Sequence, residues 1–194
     1  MNLALFDFDG TLTCKDSLSE FLKHSVTREK YLLNMFKFLP YFILYKLKLL
    51  RNDISKQKLF EIFFKGMDEK QFNSIATNYS LIKLDSIIDK DRIEMLHNHQ
   101  ENGDRVVIVS ASMQSWLQPW CDKNNIELLS TQLEFKDAKV TGKFSTENCY
   151  GIEKARRVKQ LLHVEDYETI FAYGDSAGDT QMLEIADKAT LFNT

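Results

Sequence analysis

The sequence predicts an α/β protein with a doubly wound, Rossmann-like parallel sheet and an inserted all-helical segment. Three short apolar runs, each ended by acidic or small polar residues, indicate strands that are buried on both faces. Helical patterns dominate between the first and second runs, and helices alternate with strands afterwards. The chain has 194 residues and an apolar fraction of 44%, which is enough to fill the core of such a domain.

The first predicted strand covers residues 3–8 and is followed by Asp9-Gly10. The pattern becomes helical at Ser17, where Ser17-Leu18-Ser19-Glu20 fits a capping box that would satisfy the free amides of the first turn. Apolar residues then recur at helical spacing. We expect Pro40 to end or kink this helix because proline lacks a backbone donor, and a second helix to resume through Ile43 and Leu50.

The second strand is predicted at residues 105–109, after the turn signal Asn102-Gly103 and before Ser110-Ala111-Ser112. Residues 133–144 are typical of a hairpin, and residues 152–162 of a helix that begins after Gly151. The third strand, residues 169–173, ends in Gly174-Asp175, and Ser176 can cap the next helix. This order predicts a core domain of residues 1–14 and 86–194 and a helical insertion of residues 15–85.

The composition of the chain disfavours several classes of function. The formal net charge of −3 disfavours nucleic-acid binding, which normally needs a basic excess. Three widely spaced cysteines and the absence of a basic N-terminal leader favour a reducing cytoplasm. The most apolar stretch, residues 31–50, is interrupted by Asn34, Pro40 and three lysines, so we do not expect a transmembrane helix.

The residues that can do chemistry lie at the ends of the three predicted strands, where open parallel sheets bind their ligands. Asp7 and Asp9 follow the first strand, Ser110 the second and Asp175 the third. Two acids at a buried strand end are costly unless a cation or hydrogen bonds compensate them. Asp-Gly dipeptides are also common in solvated turns, so this pair alone leaves both interpretations open.

Asp7-Phe8-Asp9-Gly10-Thr11 resembles the first motif of the haloacid dehalogenase-like phosphatases, Asp-x-Asp-x-Thr. The family's other three motifs have counterparts in the same order and at similar spacing. Ser110 resembles the second and Lys154 the third, while Gly174-Asp175-Ser176-Ala177-Gly178-Asp179 resembles the fourth, Gly-Asp-x-x-x-Asp. The resemblance covers residues 3–13 and 100–194, and it implies a cap domain in the inserted helices.

The resemblance implies that Asp7 is the nucleophile and forms an aspartyl-phosphate, and that Asp9 is the general acid and base. It also implies Mg²⁺, a hard cation that prefers oxygen ligands. The expected ligands are the carboxylates of Asp7 and Asp175 and the backbone carbonyl of Asp9, with Asp179 supporting them. The substrate is expected to be a small phosphorylated molecule.

Further residues are expected to bind phosphate. Carboxylate attack on a phosphate dianion brings like charges together, so the site needs donors and cations. Lys154 and Ser110 would supply these, and Thr11 would orient Asp7 or contact the phosphate. Backbone amides around Gly10 and Ala111 could complete the phosphate site. Considered alone, Lys154 would be better explained as a solvated helix lysine and Ser110 as a polar strand end. Their positions in the set of four motifs reverse that preference.

Other enzyme classes fit the sequence less well. Dehalogenases of the same superfamily lack an acid at the position of Asp9, since a halide leaving group needs no proton. The motifs of esterases, dinucleotide-binding folds and P-loops are missing from the sequence. His97 and His99 point away from each other on a helix, so we expect surface residues and not a metal pair.

Substrate choice would depend on the cap. Phosphoserine phosphatases are the nearest well-known relatives, and Asp16 lies where they carry an acid near the substrate; it could bind an amine or simply begin a helix. Ser110-Ala111-Ser112 departs from their usual Ser-Gly-Gly, and no arginine for a substrate carboxylate is evident. The open alternatives are a phosphotransferase or phosphomutase, a phosphatase of lipid phosphates such as phosphatidylglycerophosphate, and a non-enzymatic module that binds Mg²⁺ or phosphoproteins.

The segment of residues 28–58 contains eight basic and two acidic residues, a local net charge of +6, together with several aromatic residues. Such a segment suits a membrane surface, but aromatic stripes more often belong to a core. We therefore expect a packed helix pair with aromatic side chains mostly inside and lysines facing water. Peripheral membrane contact is the less favoured interpretation, and the sequence gives no indication of the oligomeric state.

Overall fold

A computed structural model describes residues 1–192. Its main element is a five-stranded sheet in the order β3-β2-β1-β6-β7, in which all neighbouring strands are parallel. The strands are β1 (Leu3–Phe6), β2 (Arg105–Met113), β3 (Glu127–Thr131), β6 (Ile170–Gly174) and β7 (Lys188–Leu191). The predicted α/β doubly wound class is confirmed, and the three predicted strands are the three in the middle of the sheet.

The central strand β1 is apolar throughout because it packs on both faces. Successive side chains of a strand point to opposite sides. Ala4 and Phe6 join one hydrophobic cluster, and Leu3 and Leu5 join another. On the first side lie α5 (Lys90–Glu101) and α6 (Gln114–Lys123); on the second lie α7 (Ile152–Leu162) and α8 (Thr180–Leu183).

Four helices and a short 3₁₀ turn connect β1 to β2 ahead of α5. They are α1 (Ser17–Ser25), α2 (Arg28–Lys46), α3 (Asn52–Phe64), α4 (Glu69–Ile82) and the turn Leu84–Ile87. The chain leaves and re-enters the α/β part side by side, since Thr13 pairs with Ile88 in an antiparallel bridge and Cys14 N donates to Ile87 O over 2.8 Å.

The predicted hairpin is present as β4 (Leu133–Lys136) and β5 (Lys139–Phe144). It packs against the inserted helices and not against the main sheet, with Phe135 near Phe72 and Phe144 near Phe60. Gly142 in β5 lies directly against α3, since a Cβ there would come within 2.7 Å of the Glu61 backbone. The hairpin is therefore part of the contact between the inserted helices and the α/β part.

The predicted capping box at Ser17 and Glu20 is wrong. The N-cap of α1 is Asp16, whose Oδ1 accepts a hydrogen bond of 2.7 Å from Ser19 N. The Ser17 side chain is instead buried, and its Oγ lies 3.1 Å from Ser112 Oγ. An aspartate immediately before a serine offers the same type of acceptor one residue earlier, and tertiary contacts of Ser17 decide between the two.

Pro40 neither ends the helix nor separates two helices, because α2 continues through it to Lys46. Pro40 lies on the exposed side of α2, where water can bind the carbonyl of Phe36 that loses its intrahelical donor. The chain turns later, between α2 and α3. The helix expected to resume through Ile43 and Leu50 is therefore the second half of α2, and Leu50 lies beyond its end.

The expected burial of the aromatic and apolar residues in this segment is also wrong for one face. Phe38 is buried and Tyr41 and Tyr45 are partly buried, but Phe36 is 73% exposed and Leu32 58%. The reason is that α2 contacts α3 and α1 along one side only, so its opposite side has no protein neighbour within residues 1–192. None of the described helices has both the length and the hydropathy to cross a membrane.

His97 is exposed as expected, but His99 is buried, which contradicts the expectation that both lie on the surface. His99 Nδ1 lies 2.7 Å from Asp104 Oδ2, and Nε2 lies 2.9 Å from Tyr173 Oη. These partners come from the β2 border and from β6. A helical pattern alone could not reveal them, since they depend on how α5 packs on the sheet.

Candidate active site

The predicted site residues meet at the carboxyl ends of β1, β2 and β6. Asp7 follows β1 directly and is fixed by its backbone, because Asp7 N donates to Tyr173 O of β6 over 2.9 Å. Ser110 lies in the last part of β2, and Asp175 follows β6. The edge of the sheet that a doubly wound fold uses for ligands therefore holds the acidic and hydroxyl side chains that the sequence singled out.

Asp7 forms a buried ion pair with the lysine of α7. Lys154 Nζ lies 2.5 Å from Asp7 Oδ1 and 2.6 Å from Asp179 Oδ1, and all three side chains are nearly inaccessible. Burial raises the pKa of Asp7 to about 7, although Lys154 opposes this rise. Burial would lower the pKa of Lys154, but the two carboxylates hold it above its ordinary value. Lys154 is therefore a permanent positive charge beside Asp7.

Asp175 completes a cluster of acids with Asp7 and Asp179. One carboxylate oxygen from each lies within 4.8 Å of the others, which would let them surround one cation. Burial, followed by the nearby Asp179, raises the pKa of Asp175. Gly10 allows this approach: it has φ of 81°, and a Cβ there would lie 2.3 Å from Asp175 Oδ2.

Asp179 already has partners for both oxygens. Oδ1 accepts from Lys154, and Oδ2 accepts from the backbone N of Asp175 and of Ser176 and from Ser176 Oγ, at 3.0–3.2 Å. Ser176 in turn caps the short 3₁₀ turn Ala177–Asp179. This arrangement fits a residue that holds Asp175 and Lys154 in position better than it fits a fully available ligand.

Asp9 has different surroundings although it is only two residues from Asp7. Its Oδ1 accepts from Ser17 N over 2.6 Å, and its Oδ2 accepts from Ser112 Oγ over 2.5 Å. Burial raises the pKa of Asp9, as does the nearby Asp16, whereas the hydrogen bonds from Ser112 and Ser17 oppose the rise. The Asp9 side chain is thus held outside the carboxylate cluster, on the side of the inserted helices.

The remaining predicted residues lie around this centre. Thr11 is buried, and its hydroxyl is 3.4 Å from Asp175 Oδ1, so in this structure it contacts Asp175. Ser110 Oγ accepts from Ser112 N over 3.0 Å. A phosphate contact for Thr11, Ser110 and Ala111 stays a prediction. Asp16 is exposed and caps α1, but it also lines the cavity beside Asp9.

That cavity opens to the outside of the site and has a volume of about 540 Å³. Arg92 lies in its wall, and its Nη1 donates to Gly10 O over 2.6 Å and to Thr11 O over 3.1 Å. Arg92 also stacks on the ring of Phe192 at 4.1 Å. Its role in holding the loop after β1 could not be predicted, because the sequence separates the two segments by about 80 residues.

Lys56 of α3 also reaches the site from the inserted helices. Its Nζ lies 3.4 Å from Ala111 O, and its charge is close enough to Asp9 and Asp16 to affect its pKa. Burial lowers the pKa of Lys56, whereas both acids oppose this effect. In the sequence, Lys56 is one of eight basic residues in its segment, and nothing in the spacing sets it apart. Ser112 stands where the usual motif has its second glycine, and that difference alone does not reveal its hydrogen bond to Asp9.

The charges of the site fit a divalent cation. Asp7, Asp175 and Asp179 form a cluster of three carboxylates, and the Asp9 carboxylate lies close enough to affect the pKa of Asp7. Among the described residues, Lys154 is the one cation that contacts the cluster directly. Burying several acids against a single lysine is unfavourable unless further positive charge is supplied. The all-oxygen donor set and the incomplete neutralisation are what a hard divalent metal ion requires.

The chain belongs to the haloacid dehalogenase-like hydrolase family, whose family model matches residues 4–184. The protein CicA of Caulobacter vibrioides is 31% identical over 188 residues, which cover 96% of this chain and 83% of CicA. The match therefore includes the inserted helices as well as the catalytic motifs.

Solved structures share the fold. A protein of unknown function from Bordetella pertussis superposes with a TM-score of 0.85 at 19% identity, covering 98% of this chain and 89% of that one. A phosphoserine phosphatase, solved as an analogue of its phospho-aspartyl intermediate, gives a TM-score of 0.70 at 20% identity over 98% of this chain and 85% of its own. The fold is thus the one found in phosphoserine phosphatases.

These findings confirm the class that the sequence predicts. The chain is a haloacid dehalogenase-like hydrolase, with an acid two residues after Asp7 and an acidic cluster suited to a divalent metal ion.

Proposed function

We propose that this protein is a Mg²⁺-dependent phosphomonoesterase that acts on a small phosphorylated metabolite through an aspartyl-phosphate on Asp7. The observation that carries the proposal is the buried contact of 2.5 Å between Asp7 and Lys154 beside the carboxylates of Asp175 and Asp179. A nucleophile for a phosphate dianion needs such adjacent positive charge, because two anions must approach each other.

In the first step, a carboxylate oxygen of Asp7 attacks phosphorus and the bond from phosphorus to the ester oxygen breaks. Asp9 gives its proton to the departing oxygen, which leaves as an alcohol. The raised pKa of Asp9 supports this role, since the group must be protonated when the bond breaks. Lys154 offsets the negative charge of the transferred phosphoryl group, and Ser110 donates a hydrogen bond to it.

In the second step, water attacks phosphorus of the aspartyl-phosphate and the bond to the Asp7 oxygen breaks. Asp9, now ionised, takes the proton of the water, so that inorganic phosphate leaves and both aspartates return to their starting states. The hydrogen bonds from Ser17 N and Ser112 Oγ keep the Asp9 carboxylate in one position through both steps. The phosphoserine phosphatase structure, solved as a phospho-aspartyl intermediate analogue, supports this course.

Mg²⁺ would be held by the carboxylates of Asp7 and Asp175 and the backbone carbonyl of Asp9, with Asp179 supporting them. Bound there, the ion would neutralise charge on the phosphate and lower the pKa of Asp7, which keeps the nucleophile ionised. Thr11 supports the Asp175 side through its contact of 3.4 Å.

The substrate specificity would come from the inserted helices, which we take as a cap of residues 15–85 on a core of residues 1–14 and 86–194. Lys56 and Asp16 bring one basic and one acidic group near Asp9. A substrate with an amine and a second anionic group, such as an amino-alcohol phosphate bearing a carboxylate, would match them. We further propose that the enzyme acts in the cytoplasm, in keeping with its three free thiols.

The test is Asp7→Asn, with Asp166→Asn on the exposed surface as the matched control. Hydrolysis of a panel of amino-alcohol phosphates, sugar phosphates and nucleotides should fall by roughly 10⁴-fold or more, because the amide keeps the shape but is not a nucleophile. The control should keep wild-type turnover. Wild-type activity should vanish with a chelator and return with Mg²⁺. Turnover by folded Asp7→Asn near the wild-type rate would refute the proposal.

A further inference from the structure

The outward side of α2 carries a continuous apolar surface. We define the α2 apolar face by six side chains that are 47–73% exposed, namely Leu32, Leu33, Phe36, Leu39, Ile43 and Leu47. At about 100° per residue, these positions lie within an arc of roughly 120° that begins at Leu32 and continues to the end of the helix. Glu29, in the first turn, lies in the same arc ahead of the apolar residues. Leu49, just beyond the helix, is also 73% exposed.

This face differs from scattered surface leucines, which need no explanation. The opposite side of α2 packs normally, with Phe38 buried and Tyr31 in edge contact with Phe63 of α3. The packing of α2 on the rest of the protein therefore does not use the α2 apolar face, and none of the other described elements covers this face. Contiguous exposed apolar surface on a folded protein usually marks a surface that another body covers.

The charges around the α2 apolar face indicate what kind of partner covers it. Within α2 there are four basic residues and one acidic residue, Glu29. By helical spacing, Arg28 and Lys46 flank one edge of the apolar arc, and Lys30 and Lys37 flank the other. Lys46 lies over the rings of Phe42 and Tyr45, at 5.4 and 6.0 Å, so its charge is held at the border of the face.

A second copy of the chain does not fit this pattern. Two α2 apolar faces packed together would bring the basic borders of both copies into contact, and Glu29 alone could not neutralise them. An apolar strip with basic borders is complementary to a surface that is apolar within and negatively charged outside. We propose that the α2 apolar face docks on an anionic lipid bilayer, in the plane of its head groups.

α3 connects α2 to the active site. Asn52, at the start of α3, donates to Tyr45 Oη of α2 over 3.3 Å and accepts from Asn148 of the α/β part over 3.2 Å. Lys56, one turn further along α3, reaches Ala111 in the site. The proposal itself does not depend on the proposed function, since it concerns only the surface of α2.

The experiment is cosedimentation of the full chain with vesicles of phosphatidylcholine and phosphatidylglycerol in equal parts, and with vesicles of phosphatidylcholine alone. We expect pelleting with the anionic vesicles, weaker pelleting as salt is added, and little with the neutral ones. No pelleting with anionic vesicles, or equal pelleting with both kinds, would overturn the proposal.

Two variants separate the apolar and the basic contributions. Phe36→Gln with Ile43→Gln should abolish pelleting without changing the thermal unfolding temperature, because both side chains are exposed. Lys37→Gln and Lys46→Gln should each lower the vesicle partition about fivefold. The matched control is Leu81→Gln with Ile82→Gln on α4, whose side chains are 46% and 63% exposed; it should pellet like the wild type.

The competing occupant is tested with the same proteins. If a second copy covers the face, sedimentation equilibrium without lipid will give a dimer that Phe36→Gln with Ile43→Gln converts to a monomer. That result would overturn the lipid proposal, as would vesicle binding that survives this double substitution.

Discussion

Asp7 and Asp9 show how two identical side chains acquire different chemistry two residues apart. Asp7 faces Lys154 and two further carboxylates, whereas Asp9 faces a backbone amide and a serine hydroxyl. A permanent positive charge favours the ionised form of Asp7. Burial and the nearby Asp16 raise the pKa of Asp9, which suits the proposed general acid and base.

Asp9→Asn should separate these roles. The amide can keep the contact with Ser17 N and can donate to Ser112 Oγ, so the fold should persist. We expect hydrolysis of alkyl phosphates to fall about 10²- to 10⁴-fold, because the alkoxide then leaves without a proton. An aryl phosphate with a good leaving group should still phosphorylate Asp7, and rapid-quench trapping should detect the phosphoenzyme. Alkyl phosphate turnover at the wild-type rate would exclude this role for Asp9.

Among the residues of the site, the sequence predicted those that belong to a short motif of neighbouring residues. Asp7, Asp9 and Asp175 were predicted because each lies beside a strand end, and Asp179 because it is the last residue of the motif Gly-Asp-x-x-x-Asp. Lys56, Arg92 and the inward position of His99 were missed. Each depends on a contact between residues 55 to 82 positions apart in the chain, and no local pattern encodes such a contact.

At the scale of elements, the β4–β5 hairpin packs directly against α3. Gly142 has φ of 87°, and its missing side chain leaves room for the backbone of Glu61 on α3. Gly66, just after α3, has a similar φ of 83° but has open space around its Cα. A substitution at Gly66 would therefore add backbone strain alone, whereas one at Gly142 would add both strain and a steric clash.

We predict that Gly142→Ala lowers the free energy of unfolding by about 2–4 kcal/mol, from backbone strain together with a clash against α3. Gly66→Ala, the control, should cost only about 1 kcal/mol because it adds strain alone. Urea unfolding at equilibrium measures both values. Equal losses in the two variants would mean that the hairpin does not press against α3 as described.

The strands were predicted well where they are buried on both faces, as in β1, β2 and β6. The edge strands β3 and β7 were missed, since half-exposed sequences such as Lys188–Leu191 have neither alternation nor a continuous apolar run. The packing of α2 was misjudged for a related reason. Its apolar residues surround the helix almost completely, and such a pattern does not show that only one side of the helix has neighbours.

For the whole molecule, the inserted helices and the α/β part share one hydrophobic cluster. Trp116 of α6 stacks on Phe21 of α1 at 4.6 Å and on Phe60 of α3 at 6.3 Å, and Phe8 contacts Trp120 at 5.5 Å. Aromatic contacts of this kind contribute beyond their buried area, so neither part keeps its core when the other unfolds.

We therefore expect one cooperative unfolding transition. Both tryptophans lie on α6, so their fluorescence reports on the shared cluster, while far-UV circular dichroism is dominated by the helices. Urea curves recorded with the two signals should coincide. A biphasic curve in either signal would show that the inserted helices unfold separately.

The bridge between Thr13 and Ile88 has a consequence for how such enzymes diversify. The chain segments that leave and re-enter the α/β part are already paired at this bridge. The geometry of the sheet would therefore depend little on which segment is inserted between them. The backbone would thus allow the segment between Thr13 and Ile88 to be replaced during evolution, whereas side-chain packing would limit the replacement. Any replacement segment would have to shield Trp116 from water, as Phe21 and Phe60 do here, and this requirement restricts which segments can be inserted.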